Sequence, residues 1–372
     1  MTCFCFKKSK LGTKEADTLP ESRNQSSFPE NVAANRVIKS EISASSSRSI
    51  SDLYSEKERS LRIFSYPDLK QATNAFSRLL RIGEGGFGSV YRGTIRAENG
   101  NVEPTVVAIK RLNNLGGQGH KEWLAEVHFL GGVEHRNLVK LLGYCSADAE
   151  RGMQRLLVYE FMPNKSLENH LFNGKLPLLS WERRLQIMLG AAEGLAYLHE
   201  GMELQVIFRD FKPSNVLLDK NFNPKLSDFG LAREGPDGDC SHVSTAPVGT
   251  YGYVAPEYVE TGHLSAKSDI FSFGVVLYEI LTGRRSIEIN HPRSEQKLLE
   301  WVKQFPAESK RFYMIMDLRL QNQYSLVAAR KVAKLADRCL NKNPKDRPDI
   351  QAIVKELREA ILESKRGYSD VL

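Results

Sequence analysis

The sequence predicts an α+β domain that follows a polar tail. Between about residues 79 and 162, short runs rich in β-branched and aromatic residues predict strands, with one helical segment (119–130) among them. Later segments carry apolar residues at helical spacing, and the first of these, 181–199, predicts a long buried helix. The length of 372 residues allows one two-lobed domain with a sizeable core plus a tail.

Composition and charge argue against several classes of function. The net charge of +7 is modest and spread out, and without a basic stripe or interleaved aromatic residues we predict no nucleic-acid partner. The apolar stretch 271–281 is interrupted by Ser272 and Glu279, so it predicts a buried helix and not a membrane span. Five scattered cysteines without metal-ligand spacing favour a reducing, intracellular compartment.

The tail, residues 1–60, is Ser-rich and is predicted to be largely disordered. Cys3 and Cys5 precede an unopposed basic run, which fits S-acylation combined with electrostatic attraction to an anionic membrane face. Thr2 excludes N-myristoylation, which needs glycine there. The alternative is a frayed terminus with incidental cysteines. Residues 61–78 predict a short amphipathic helix that leads into the domain.

A glycine-rich run with G-x-G-x-x-G spacing begins the domain, and its glycines let backbone N–H groups approach phosphates. Strand-like residues flank the run on both sides, whereas a dinucleotide-binding loop would open directly into a helix. The next apolar strand, 106–110, ends in Lys110, and the alternative to phosphate binding is a solvated strand end. The predicted nucleotide-binding residues here are Ile82, Gly83, Glu84, Gly85, Gly86, Phe87, Gly88, Ser89, Val90, Ala108 and Lys110.

A lysine with this role needs a carboxylate on a nearby helix to orient it. The helical segment 119–130 offers Glu122 and Glu126, one turn apart on the same face. The residues alone leave that choice open. The polar segment 97–104 predicts a loop between the second and third strands, with no chemistry in it.

The stretch from 207 to 230 places the groups that phosphoryl transfer requires within a short distance along the chain. The reaction needs an acceptor hydroxyl held in line and the phosphate charge neutralised by metal ions and cations. Asp210 is predicted to take the hydroxyl proton, and Lys212 to contact the transferring phosphate. Asn215 and Asp228 are predicted to hold the metal ion.

These motifs resemble, in order and spacing, those of the eukaryotic protein kinases, from about residue 64 to the last predicted helix. The resemblance implies a bilobal kinase fold. A small antiparallel β lobe with one helix (79–160) would precede a larger, mainly helical lobe (161–363) and a C-terminal tail (364–372). It also implies ATP and Mg2+ (or Mn2+) as cofactors.

The resemblance also assigns residues around the nucleotide. It selects Glu126 as the partner of Lys110, because Val127 and Leu130 follow Glu126 in the spacing typical of kinases. Glu122 is then left as a surface residue. Backbone groups of Glu160 and Met162 would pair with adenine. Tyr159 would close the back of the pocket, and Leu217 joins the ATP-binding residues.

The catalytic loop begins with Phe208 where kinases usually have histidine. The resemblance implies that Phe208 packs against Phe229 as another aromatic residue would, without loss of activity. Arg209 is retained, which implies an anionic partner, typically a phosphate on the activation segment. Ser244 and Thr245 are the preferred candidates, although Ser and Thr in such a segment also fit a plain solvated loop. Ser241 and Thr250 complete the set of predicted phosphorylation sites.

The remaining assignments concern substrate selection and the scaffold. The Thr250 hydroxyl is expected to bond near Asp210 and Lys212, which favours Ser/Thr substrates over Tyr. Asp269 is expected to bond backbone amides of the catalytic loop, and Arg347 to pair with Glu257. His199 is interpreted as a core or capping residue without a catalytic role.

The resemblance is strongest to the plant receptor-like cytoplasmic kinases of subfamily VII, on residues 64–76, 206–218, 243–245 and 249–257 and on the Cys- and Lys-rich start. It implies a monomeric Ser/Thr kinase at the cytoplasmic face of the plasma membrane, with a cytosolic pool. The implied partners are an upstream receptor kinase and protein substrates, often in immune signalling. The alternatives are a pseudokinase scaffold that binds nucleotide without turnover, and a nucleotide or nucleic-acid binder that is not a kinase.

Overall fold

The computed structural model describes residues 61–86, 88–96, 103–113, 118–149, 152–238 and 240–369. The predicted tail with Cys3 and Cys5, the nucleotide-binding candidate Phe87 and most of the predicted loop 97–104 lie outside these residues.

A single sheet forms the first lobe. Its strands within the described residues are β1 (Arg62–Ile63), β2 (Arg81–Gly85), β3 (Gly88–Ile95), β4 (Thr105–Leu112), β5 (Leu141–Ala149) and β6 (Gly152–Glu160). They are ordered β1-β5-β6-β4-β3-β2. All neighbours are antiparallel except β1, which runs parallel to β5 with Arg62 opposite Gly143. The expected antiparallel lobe is therefore confirmed apart from one edge strand.

Helix α1 (Tyr66–Ala72) precedes the second strand and packs on one face of the sheet. The Ser65 side chain caps its start by accepting the Asp68 N–H, and the fully buried Leu69 anchors it among sheet residues. The helix ends where Thr73 donates its hydroxyl to the Leu69 carbonyl. Helix α2 (Gln118–Leu130) belongs to the other, larger hydrophobic cluster, and its Trp123 Nε1 donates to the Leu156 carbonyl at 3.3 Å.

The second lobe is mainly helical. Its helices are α3 (Leu167–Phe172), α4 (Trp181–Ala196), α5 (Pro256–Thr261), α6 (Ala266–Thr282), α7 (Leu298–Val302), α8 (Leu326–Cys339) and α9 (Ile350–Ser369). Helix α6 is almost wholly buried from residue 268 to 282 and packs against α8, while α4 packs against α9. The last helix extends beyond the boundary predicted at residue 363, because α9 continues to Ser369.

Pairs of short strands shape the loops at the lobe junction. They are β7 (Val206–Ile207) with β10 (Arg233–Glu234), β8 (Val216–Leu218) with β9 (Pro224–Leu226), and β11 (Val243–Ser244) with β12 (His263–Leu264). The loop 208–215 lies between β7 and β8, so both of its ends are fixed by strand pairing. Within the described part of the chain, no helix is long and apolar enough to cross a membrane.

Candidate active site

The catalytic loop is fastened to the core by the carboxylate of Asp269, which is 1% exposed. Its Oδ2 accepts the Phe208 N–H and its Oδ1 accepts the Arg209 N–H, both at 2.8 Å. The predicted role of Asp269 is confirmed. Nε2 of His199 lies 2.8 Å from the same Oδ2, and His199 is buried, in agreement with a core histidine. These bonds hold Arg209 in the left-handed backbone region at φ 69°.

The Asp210 carboxylate is oriented by side chains on both sides of the loop. Thr250 donates its hydroxyl to Oδ1 at 2.6 Å, and Lys212 Nζ lies 2.6 Å from Oδ2. Asn215 Nδ2 adds a bond to Oδ2 at 3.1 Å, and Lys212 also donates to the Thr250 hydroxyl at 2.8 Å. The predicted contacts of Thr250 are confirmed. A carboxylate fixed in this way can accept a proton from a hydroxyl in a defined direction.

A buried ion-pair network joins the first lobe to the second. Lys110 Nζ lies 2.6 Å from Glu126 Oε1 and 2.6 Å from Asp228 Oδ1. Burial alone would lower the pKa of Lys110, but the charges of Asp228 and Glu126 outweigh it and hold that pKa above its ordinary value. Burial works to raise the pKa of Asp228, yet Lys110 brings it below its ordinary value. Lys110 is therefore a cation and Asp228 an anion at neutral pH.

Glu126 is the carboxylate that meets Lys110, as expected, and it has a second anchor. The Tyr159 hydroxyl donates to Glu126 Oε2 at 2.7 Å. Tyr159 is 7% exposed, which agrees with a position at the back of a pocket. The interpretation of Glu122 as a surface residue is wrong, because Glu122 is 1% exposed. Its one-turn spacing from Glu126 places both carboxylates on the inward face of α2.

The predicted metal ligands are brought together by a local hydrogen-bond pattern. The Ser227 N–H donates to the Asn215 carbonyl at 2.9 Å, so Asp228 follows directly beside Asn215. A carboxylate and an amide oxygen are hard ligands that suit Mg2+, which usually takes few protein ligands and completes its shell with phosphates and water. Within the described residues no cluster of three or more acidic, His or Cys side chains could hold a metal. The pair fits a metal that arrives with nucleotide phosphates.

The glycine-rich run forms the β2–β3 hairpin. At Gly88, with φ 147°, a Cβ would lie 2.1 Å from the Arg111 carbonyl, so only glycine fits. At Gly85 and Gly86 a Cβ would meet nothing within 4 Å, which leaves the backbone open to an approaching phosphate. The other described candidates of this run line the hairpin, with Gly83, Ser89 and Val90 partly buried and Ile82 and Glu84 exposed.

The strand β6 leads into the predicted adenine-binding segment. The Glu160 N–H donates to the Lys140 carbonyl at 3.1 Å, so this N–H is already engaged and is not open to adenine. The Glu160 side chain pairs with Lys225 at 2.8 Å. Met162 follows in a buried position, and the half-buried Ala108 and Leu217 belong to strands of the two lobes.

Comparison with known proteins decides the family. The protein kinase domain family matches residues 76–357. This chain is a protein kinase.

Three curated relatives of the kinase come from the plant Arabidopsis thaliana. The kinase is 59% identical over 323 residues to the probable serine/threonine-protein kinase PBL20 of Arabidopsis thaliana, covering 85% of this chain and 81% of the relative. Serine/threonine-protein kinase PCRK1 of the same plant is 54% identical, with 84% and 75% covered. PCRK2 is 46% identical, with 99% and 89% covered. The prediction of a plant receptor-like cytoplasmic Ser/Thr kinase is confirmed, and its assignment to subfamily VII stays a prediction.

The aromatic exchange at the start of the catalytic loop has the packing that the sequence predicted for this kinase. Phe208 is fully buried, and its ring centroid lies 5.0 Å from that of Phe229 in an edge-on arrangement. Phe211 lies 6.5 Å from Phe208 and 5.2 Å from Phe273 of α6. The two phenylalanines that flank the reactive residues therefore belong to one aromatic cluster.

The activation segment of the kinase surrounds the Arg209 guanidinium with neutral acceptors. Arg209 donates to the Leu231 carbonyl at 3.2 Å, to the Ala246 carbonyl at 3.4 Å and to the Tyr258 hydroxyl. Its Nε is buried and has no hydrogen-bond partner within the described residues. A buried donor of this kind is costly unless an acceptor satisfies it.

The predicted phosphorylation sites differ in accessibility. Ser244 and Ser241 are exposed, and Thr245 is partly buried. Arg233 Nη1 donates to Thr245 Oγ1 at 3.3 Å, a contact that sequence reasoning missed although a basic residue shortly after Gly230 was visible. Thr250 is 3% exposed and its hydroxyl donates to Asp210, so it is the least accessible of the four predicted phosphorylation sites.

A buried ion pair ties the end of the activation segment to the last part of the domain. Arg347 Nη1 lies 2.7 Å from Glu257 Oε1, and Nη2 lies 2.6 Å from Oε2. This bidentate geometry confirms the predicted pair. It closes a contact between residues 90 positions apart in the chain.

Proposed function

We propose that this Ser/Thr kinase is catalytically active and uses ATP with Mg2+ (or Mn2+) to phosphorylate proteins. The observation that carries this proposal is the Asp210 carboxylate, held by Thr250, Lys212 and Asn215 while Lys110 meets Glu126 and Asp228. Mg2+ would supply neutralisation of the phosphate charge, with Asn215 and Asp228 as its protein ligands. The pseudokinase alternative is weakened because all of these contacts are present together.

The test compares purified full-length protein with two variants in Mg-ATP and a generic Ser/Thr protein substrate. Asp210→Asn removes the proton acceptor but keeps the side-chain size, and kcat should fall about 10²- to 10⁴-fold. Lys110→Ala should also abolish most turnover, while the exposed Lys121→Ala serves as the control on α2. Equal silence of wild type and variants, even after pre-phosphorylation by a receptor kinase, would instead establish a scaffold.

We further propose that phosphate on Ser244 or Thr245 activates the kinase. Arg233 donates to Thr245, and the buried Nε of Arg209 leaves that arginine with an unsatisfied donor for an anionic group. A phosphate brings strong acceptor oxygens and about two negative charges, and arginines bind it bidentately. Phosphosite mapping after co-expression with candidate receptor kinases tests the proposal. Thr245→Ala and Ser244→Ala should lower the activated rate, whereas Ser241→Ala is the neighbouring control.

For the cell, we propose a subfamily VII kinase that acts as a monomer beneath a plasma-membrane receptor kinase in plant immune signalling, with a cytosolic pool. Support comes from the sequence resemblance and from the Cys- and Lys-rich start of the chain. S-acylation at Cys3 and Cys5 would add membrane affinity to the attraction of the basic run. Cys3→Ser combined with Cys5→Ser should shift the protein from the membrane to the soluble fraction. Cys240→Ser, an exposed cysteine of the domain, is the control, and an unchanged distribution of the double variant would contradict acylation.

A further inference from the structure

A contact between helix α2 and the activation segment lies outside the network described above. His128 Nε2 lies 3.1 Å from Glu234 Oε1. Both side chains are partly exposed, at 26% and 42%. Since a carboxylate oxygen only accepts hydrogen bonds, Nε2 of His128 is the N–H donor in this contact.

Glu234 is held in place from the catalytic-loop side. It belongs to β10, where it pairs with Val206 of β7, and β7 ends one residue before Phe208. Its neighbour Arg233 pairs with Ile207 and sends its side chain to Thr245. Successive side chains of a strand point to opposite faces, so β10 presents Arg233 to the phosphorylation segment and Glu234 to α2. The position of Glu234 therefore depends on whether the activation segment is ordered.

His128 lies on the same helix as Glu126, the residue that meets Lys110. It lies two residues after Glu126, and residues at that spacing point to different sides of a helix. Lys110 and Tyr159 hold α2 through Glu126, whereas Glu234 holds it through His128. Trp123 of α2 also contacts the sheet, where its Nε1 donates to the Leu156 carbonyl. A helix attached only to the sheet can still tilt away from the activation segment. A second attachment on another side removes this freedom.

We propose that His128 is a positioning residue that, through Glu234, holds α2 where Glu126 meets Lys110. When this contact is lost, fewer molecules have the Lys110–Glu126 ion pair that orients Lys110 toward the phosphates, and kcat falls accordingly. His128 and Glu234 do not touch the reacting atoms. The proposal rests on the catalytic role assigned above to Lys110 and Glu126.

A double-mutant cycle on the full-length kinase tests this. His128→Ala and Glu234→Gln should each lower kcat about 3- to 10-fold. The double variant should lose no more kcat than the more damaging single variant, because the effects of coupled residues are not additive. The KM for the protein substrate should stay unchanged. His128→Gln, which keeps an N–H donor at a similar reach, should restore most of kcat. Lys121→Ala, exposed on the same helix, is the matched control.

Three outcomes overturn the proposal. The first is a kcat of His128→Ala equal to that of Lys121→Ala. The second is a loss in the double variant equal to the product of the single losses. The third is a fall in Tm together with kcat that His128→Gln does not restore, which would make the role structural only. Lys110→Ala distinguishes failure of this proposal from failure of the proposed function. If that variant retains activity, the catalytic role proposed for Lys110 is wrong.

Discussion

Phenylalanine in place of Tyr159 removes a single oxygen atom and shows how much the second anchor of Glu126 contributes. The hydroxyl donates to Glu126 Oε2 at 2.7 Å, and Glu126 is fully buried. Burial and the neighbouring Glu126 charge raise the pKa of Tyr159 well above its ordinary value, so the donor keeps its proton at neutral pH. In Tyr159→Phe, water cannot easily replace that donor.

The expected loss follows from the chemistry of the bond. A hydrogen bond to a charged group contributes about 1.5–3 kcal/mol, and leaving a buried carboxylate oxygen unsatisfied costs a similar amount. At roughly 2–4 °C per kcal/mol for a large domain, Tm should fall by about 3–12 °C.

Scanning calorimetry of the full-length protein without nucleotide measures this difference. Tyr313→Phe, a tyrosine that is 58% exposed, controls for the change of residue type and should leave Tm within about 1 °C. If Tyr159→Phe has the same Tm as Tyr313→Phe, the hydrogen bond from the Tyr159 hydroxyl does not stabilise the folded protein and the reasoning fails.

Three further substitutions test other parts of the fold. Burial raises the pKa of Glu279 to about 8 from an ordinary 4.5, so its contribution to stability is complete below about pH 4.5 and is lost as the pH rises through 8. Glu279→Gln should therefore gain Tm relative to wild type between those pH values, and parallel pH curves would contradict the burial argument. Arg347→Ala leaves the Glu257 carboxylate without its buried partner and should cost about 3–5 kcal/mol in urea unfolding; an unchanged midpoint would show the pair to be dispensable. Phe208→Ala opens a cavity in the aromatic cluster and should lower the free energy of unfolding by about 3–5 kcal/mol. Urea unfolding measures this loss, and an unchanged midpoint would contradict it.

The sequence predicted most of the site because phosphoryl transfer dictates which groups must meet. The reaction requires a carboxylate beside Lys110, whereas the choice of Glu126 and the contacts of Thr250 with Asp210 came from the resemblance to protein kinases. Asp269 is similar, since an ionisable group that enters a buried helix needs partners, and backbone amides of a nearby loop provide them.

What the sequence could not predict depends on pairings without a local pattern. Strand β1 has two residues, too few for any periodicity, and its parallel pairing with Gly143 is set by packing. The contact between His128 and Glu234 joins residues 106 positions apart, and neither belongs to a motif. The selection of Glu126 left Glu122 predicted as a surface residue, although its spacing from Glu126 already indicated the inward face.

The attachment of the catalytic loop to Asp269 links the rate of the reaction to the integrity of the large lobe. Asp269 lies on α6, whose side chains form much of that lobe's core, and the loop's own Phe211 packs against Phe273 of the same helix. The loop therefore cannot melt separately while α6 stays folded. Heating should inactivate the enzyme at the temperature where the large lobe unfolds, with no earlier loss of turnover from a loosened catalytic loop. Substitutions deep in α6, far from any substrate atom, should alter turnover through the same carboxylate.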